Sequence, residues 1–210
     1  MTLTPYQIGV VLAAAVALMA LTFMVIRTFS FGRRRHYAVS SGKQSKGVIY
    51  AFGRGMLPWE KESASGHLFT YFGGFVYHAA IFGAFSYLIV LLTGLKIGPI
   101  LLRILQILLI SGFFCGTGLL LKRTLSSKLM AISSPDDFFA NLLADLFLIM
   151  TFWVSFNQQM EKYFYLIAIL LLLYIPVGKI RHCVYFFYAR FMMGRFFGRR
   201  GVFPPRMQES

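Results

Sequence analysis

Residues 68–95 read LFTYFGGFVYHAAIFGAFSYLIVLLTGL, a stretch with no Lys, Arg, Asp or Glu and a single histidine, His78. About twenty apolar residues in helical form cross a hydrocarbon core of roughly 30 Å. This run is longer than that, so it reads as a membrane helix with length to spare for tilt. Four more apolar runs accompany it, at residues 8–26, 100–121, 138–156 and 163–177, the last continuing to about residue 182. The run at 8–26 has no basic segment before it and reads as a retained helix, not a signal peptide. The expected fold is an all-α integral membrane bundle of five transmembrane helices, a single membrane domain of residues 1–210.

Composition points the same way. The 210 residues are 58% hydrophobic, 17% aromatic and 13% charged, with a mean hydropathy of +0.68. A soluble domain of this size cannot bury so much apolar surface. The net charge of +14 raises nucleic acid as a partner, but its placement reads as a topology signal instead. Put the loop 27–66, the connection between the third and fourth runs, and the tail 183–210 on one side. With Lys179 and Arg181, which directly precede the tail, all 21 basic residues then lie there except Lys96, Arg103 and Lys162. The positive-inside rule makes that side the cytoplasm and places the N-terminus outside. The expectation is a multi-pass protein of a bacterial or archaeal inner membrane, embedded in lipid, with no nucleic-acid partner. Cys115 and Cys183 form no Cys-x-x-Cys motif and read as packed thiols.

The loop 27–66 is too long for a simple connector. Gly53, Gly55 and Pro58 mark a turn in it, and Trp59 suits a membrane interface. It reads either as a docking surface for a soluble partner or as an ordered lid on its own bundle. The tail alternates basic and aromatic residues, as an interfacial helix does, until Gly201 and the Pro204, Pro205 pair end it. Ser134 can cap the fourth run, with Pro135 at its first position and Asp136 and Asp137 opposing its dipole, so these carboxylates read as structural. Asp145 lies two turns inside the same run and is expected to face the interior, paired with a base or serving a proton path.

Four histidines remain: His36, His67, His78 and His182. His36 follows Arg33, Arg34 and Arg35 and reads as a solvated loop residue. His67 sits where the 68–95 helix leaves the cytoplasm and can cap, meet a partner or bind a cofactor. His78 is flanked by Gly74, Ala79, Ala80 and Gly83, while Gly112, Gly116 and Gly118 offer a similar surface on the next run. Small side chains let a flat macrocycle approach a helix, or simply another helix. His182 closes the fifth run in the same leaflet as His78. Two histidines from facing helices are the usual bis-axial ligands of haem in a bundle. By 1.5 Å per residue His78 lies ~10–15 Å deep, with His182 nearer the surface, a difference that tilt or protrusion of the long helix can remove.

With the segments FVYHAAIFGAF, GTGLLLKRTLSS, ISSPDD and IPVGKIRH in this order, the chain resembles the cytochrome b (gamma) subunit of respiratory nitrate reductase. It is similar as well to the membrane cytochromes of heterodisulfide-reductase-like electron-transfer complexes. The resemblance covers roughly residues 65–200. It implies haem b held by His78 and His182, with Lys122, Arg123 and Arg181 as candidate propionate partners and His67 as a further cofactor-binding candidate. The family's second pair of histidines would fall at Leu88 and Phe164, so one haem is expected here. A second remains open through Met150 or Met160, or through His67 with His36. The implied partners are a cytoplasmic iron–sulfur subunit, menaquinone or another quinone, and a periplasmic multihaem cytochrome c. Quinone contacts would come from Asp145 or His67 on the inner side, or from Arg103 or Gln106 on the outer side. The implied role is an electron-transfer subunit of an oxidoreductase complex. The alternative is a non-redox membrane anchor for a soluble or periplasmic redox complex. A transporter is disfavoured by the scarcity of broken helices and midplane charges.

Overall fold

The computed structural model describes residues 3–31, 39–60 and 65–205. Arg33, Arg34, Arg35, His36, Lys61 and Arg206, which entered the charge and histidine readings, lie outside the described residues. The described residues form α-helices and short 3₁₀ turns with no strand. The helices are α1 (Pro5–Ser30), α2 (Gln44–Phe52), α3 (Leu68–Thr93), α4 (Pro99–Leu125), α5 (Ser127–Ala131), α6 (Pro135–Val154), α7 (Glu161–Tyr174) and α8 (His182–Arg199). The chain divides into two compact units, Met1–Met19 with Phe69–Ile180 and Ala20–Leu68 with Arg181–Ser210.

Four helices, α1, α3, α4 and α6, are long and apolar enough to cross a membrane, and this is a multi-pass membrane protein. A fifth span exists only if Gln158–Tyr174 and Lys179–Arg199 count as one. The continuous fifth helix expected to about residue 182 is therefore corrected: it stops at Tyr174. Pro176 has no N–H to continue the ladder. The Tyr174 carbonyl instead accepts from Val177 N at 3.0 Å and Gly178 N at 2.8 Å, closing a turn. The Tyr174 ring fills the space a Cβ on Gly178 would need. His182 consequently opens α8 and does not end a membrane span.

In the first unit α3, α4, α6 and α7 enclose a core around Phe147 and Phe164, both fully buried. Their rings stack at 5.6 Å, and Phe85 joins at 4.9 Å from Phe147. Gly112 lets α4 meet Ala80 of α3 with no room for a side chain between them, the close approach that small residues permit in membranes. Large apolar side chains such as Leu12, Ile107 and Phe114 point outward, as lipid contact requires.

One end of this unit is tied by Asp137. Its carboxylate accepts from Ser134 N at 2.8 Å, completing the helix start read from the sequence. It also pairs with Arg123 from the end of α4 at 3.2 Å and with Lys179 at 2.5 Å. Asp136 accepts a hydrogen bond from the Tyr174 hydroxyl. Asp137→Ala should therefore cost about 1–2 kcal/mol, the loss of a helix cap plus partly exposed ion pairs. Thermal unfolding in detergent would read this as a lower midpoint, with Asp137→Asn retaining part of the cap.

In the second unit the long loop contains α2, which lies against α8 through glycines. A Cβ on Gly47 would strike the Gly194 carbonyl and Gly198 backbone, and one on Gly194 would come within 2.7 Å of Val48 Cα. Of the two readings of this loop, ordered lid and docking surface, order is what its middle segment has, on the tail helix. The Arg199 carbonyl at the end of α8 accepts from Ser41 N and Gly42 N at 3.0 Å each. Gly201, at φ +68°, then turns the chain in the left-handed region that glycine tolerates. Tyr50 donates to Glu60 at 2.9 Å, and the Arg54 hydrogen bond, with that of Tyr50, holds the Glu60 carboxyl below its usual range.

Candidate functional site

His78 lies ten residues after the start of α3, roughly 15 Å along the helix at 1.5 Å per residue. Its side chain is exposed from the first unit, while its neighbour Tyr77 is buried, the two rings meeting edge to face at 6.1 Å. The ring is held by a hydrogen bond between Nδ1 and the Gly74 carbonyl, 2.7 Å apart. A carbonyl only accepts, so Nδ1 carries a proton, and in that neutral tautomer the lone pair lies on Nε2. Histidine ligands of metals are characteristically oriented in this way, by donating the other ring N–H to a carbonyl or carboxylate. A Cβ on Gly73 or Gly74 would have nothing within 4 Å, so the face beside His78 is open. Phe75 and Phe82, one turn to either side, are exposed along with it. Such a strip can admit a flat ring and present Nε2 to a metal at its centre.

The other expected site residues are placed as follows. His182 is the first residue of α8, exposed in the second unit, with exposed Arg181 just before it. His67 is exposed in the turn before α3. Lys122 donates to Thr70 at 2.7 Å, and Arg123 to Ser133 at 3.1 Å besides its pair with Asp137. Both cations thus join helix ends of the first unit. Gln106 donates to Ser155 at 3.0 Å, and Arg103 is exposed. Met150 and Met160 are half-buried. Leu88 and Phe164 are core residues of the packed aromatic interior. Cys115 and Cys183 are half-buried free thiols. Among the described residues no three His, Cys, Asp or Glu side chains gather as a metal cluster would require.

Asp145 is buried as expected, at 4% exposure, but no ion pair reaches it among the described residues. The basic partner expected for it is replaced by the hydroxyls of Tyr77 and Thr117, which face its carboxyl.

The opposite end of the first unit holds a cavity of about 500 Å³ that sequence reasoning missed. Gln7, Tyr87, Lys96, Gln158 and Glu161 give it polar groups among apolar walls from Val90, Leu91 and Leu102. Thr4 N donates to Gln7 Oε1 at 2.9 Å, Gln7 Nε2 to the Tyr165 hydroxyl at 3.4 Å, and that hydroxyl to Glu161 at 3.3 Å. The chain matches no family model, no curated protein and no solved structure. The cavity was signalled only by Gln7, an amide on an otherwise apolar helix face that proves to be buried. Its other walls come from helix ends that are distant in sequence, which no local pattern reveals.

Proposed function

We propose that this chain is a b-type haem membrane subunit of a respiratory oxidoreductase complex, passing electrons between the quinone pool and a cytoplasmic iron–sulfur partner. The reading extends the resemblance to cytochrome b (gamma) subunits of respiratory nitrate reductase. The observation that carries it is the Nδ1 hydrogen bond of His78 to the Gly74 carbonyl, which orients the ring in the way that metal-ligating histidines are oriented. Haem b, when bound, supplies a one-electron carrier. His78 fixes its ring plane through Gly74, and the open glycine face leaves a flat group room. His182, from the motif IPVGKIRH, is the second candidate ligand, and Arg181 the remaining propionate candidate. Leu88 and Phe164 belong to the core, so one haem per chain is proposed. With the basic loops in the cytoplasm, the cavity faces the outer side.

That cavity has the mixed lining a quinone head needs: amide, phenol, amine and carboxyl donors or acceptors around an apolar slot. Glu161→Gln and Gln7→Leu should each raise the KM for a menaquinol analogue about five- to tenfold, the scale of one lost hydrogen bond of about 1 kcal/mol. The haem spectrum should stay unchanged in both. An unaltered KM would remove quinone from this cavity.

The deciding test is the optical spectrum of the purified protein, with haem counted per chain. A sharp reduced b-type alpha band and one haem per chain are expected. A colourless, folded protein overturns the proposal in favour of a non-redox membrane anchor. The engagement of Lys122 with Thr70 and of Arg123 with Asp137, which ties helix ends together, favours that second reading.

A further inference from the structure

Three polar residues line one face of the otherwise apolar α6 at four-residue spacing: Asp137, Asn141 and Asp145. Each step advances roughly 6 Å along the helix. Asp137 is the ion-paired residue at the basic end, and Asp145 is the deepest. The side-chain oxygens Asn141 Oδ1 and Asp145 Oδ1 are both fully buried, and neither has a donor among the described residues. The Asp145 oxygen lies so close to Gly116 of α4 that a Cβ there would collide with it. Tyr77 donates to the Asn141 backbone carbonyl at 3.3 Å, linking α3 to the middle of the stripe.

A buried carboxylate with no cation beside it is costly even with hydroxyls facing it, and a proton on it removes most of that cost. The groups that face Asp145 are Tyr77 from α3 and Thr117 from α4, and both are neutral hydroxyls. On α7 the only charged residues, Glu161 and Lys162, lie in the first turn, by the C-terminal end of α6. No cation takes the place of the proton among the described residues. Buried acceptors without donors in a polar setting are also where proteins hold internal water.

We propose that Asp145 is a buried proton-binding site, loaded along a water-bridged path that runs from the basic end of α6 past Asn141. Its ligand is a proton. The site stands independently of the haem reading, because no residue of the path ligates a metal. In the resting protein Asp145 is a neutral acid, and it exchanges its proton with bulk water through Asn141.

Infrared spectroscopy of the full chain in lipid nanodiscs tests this. At pH 5, where carboxyls near water are mostly ionised, the protein should show the C=O stretch of one buried protonated carboxyl. The band should move on aspartate-specific carboxyl ¹³C labelling, move again in D₂O, and be absent in Asp145→Asn. If Asp145→Asn does not fold, the label still assigns the band to aspartate in the wild type. In Asn141→Leu the band should persist but exchange in D₂O about tenfold more slowly, the effect of a barrier raised by one lost water bridge. A wild type without the band, a band that ignores the label, or equal exchange rates in Asn141→Leu overturns the proposal.

Discussion

His78→Ala is expected to yield a folded, membrane-inserted protein without the reduced b-type alpha band. The side chain points away from the packing of its own unit, so truncation opens no cavity in the Phe147 core. Its Nδ1 hydrogen bond runs to Gly74, within the same helix, so α3 should remain intact. The expected loss is then specific to ligation and complete, because an iron–nitrogen bond has no partial substitute in alanine. His182→Ala should do the same, whereas His67→Ala should leave the band in place. A sharper check is His78→Gly with added imidazole, in which a free ring can occupy the vacated position and restore the band. Restoration would exclude a merely structural role, since imidazole repairs ligation and not packing. Gly74→Leu provides a second line: a side chain on the open face should weaken haem retention with the ligand still present.

The second large effect should follow Gly47→Leu. A Cβ at this position meets backbone atoms of Gly194 and Gly198, which no side-chain rotation can move aside. Overpacking of this kind typically costs 1–3 kcal/mol even when neighbours can adjust. Here the helices must separate. The nine-residue α2 is far below the ~12–15 residues at which an isolated helix becomes marginal in water, so it should melt when it leaves α8. Arg195 would lose its 3.1 Å bond to Gln44, and Lys43, Lys46 and Arg54 would become open to trypsin. Limited proteolysis should therefore change from slow cutting in the wild type to rapid cutting in the variant. Gly66→Leu is the control, because a Cβ there meets nothing within 4 Å and protection should be unaffected. Equal proteolysis of Gly47→Leu and wild type would show that the glycine crossing is not what orders α2.

These contacts also explain what could be read from the sequence alone. Four spans were legible because length and apolarity are local quantities, and their ends differ from expectation by no more than four residues. The start of α6 was legible because Ser134, Pro135 and Asp137 act on neighbouring backbone groups. The break after Tyr174 was not: counting apolar residues passes through Ile175 and Val177 and ignores the missing N–H of Pro176. The α2–α8 crossing was hidden for another reason. Gly47 looks like loop composition until Gly194 and Gly198 are seen opposite it. Asp145 was correctly placed inside, but a helix pattern cannot say whether a cation or two hydroxyls will face it. His78 was legible as an odd polar group in an apolar run, whereas its tautomer required the Gly74 carbonyl to be located.

The crossing of α2 with α8 has a consequence for how the protein is made. About 150 residues separate Gly47 from Gly194, and at ~5–20 residues per second α2 waits on the order of 10–30 s for its partner to leave the ribosome. Throughout that interval a basic segment too short to hold helical structure stands beside a membrane already receiving α1, α3, α4 and α6. Its ordering must then be among the last events of biogenesis. Protection of α2 from protease thus marks a finished chain, and a stalled or truncated one would display the same residues to quality-control proteases.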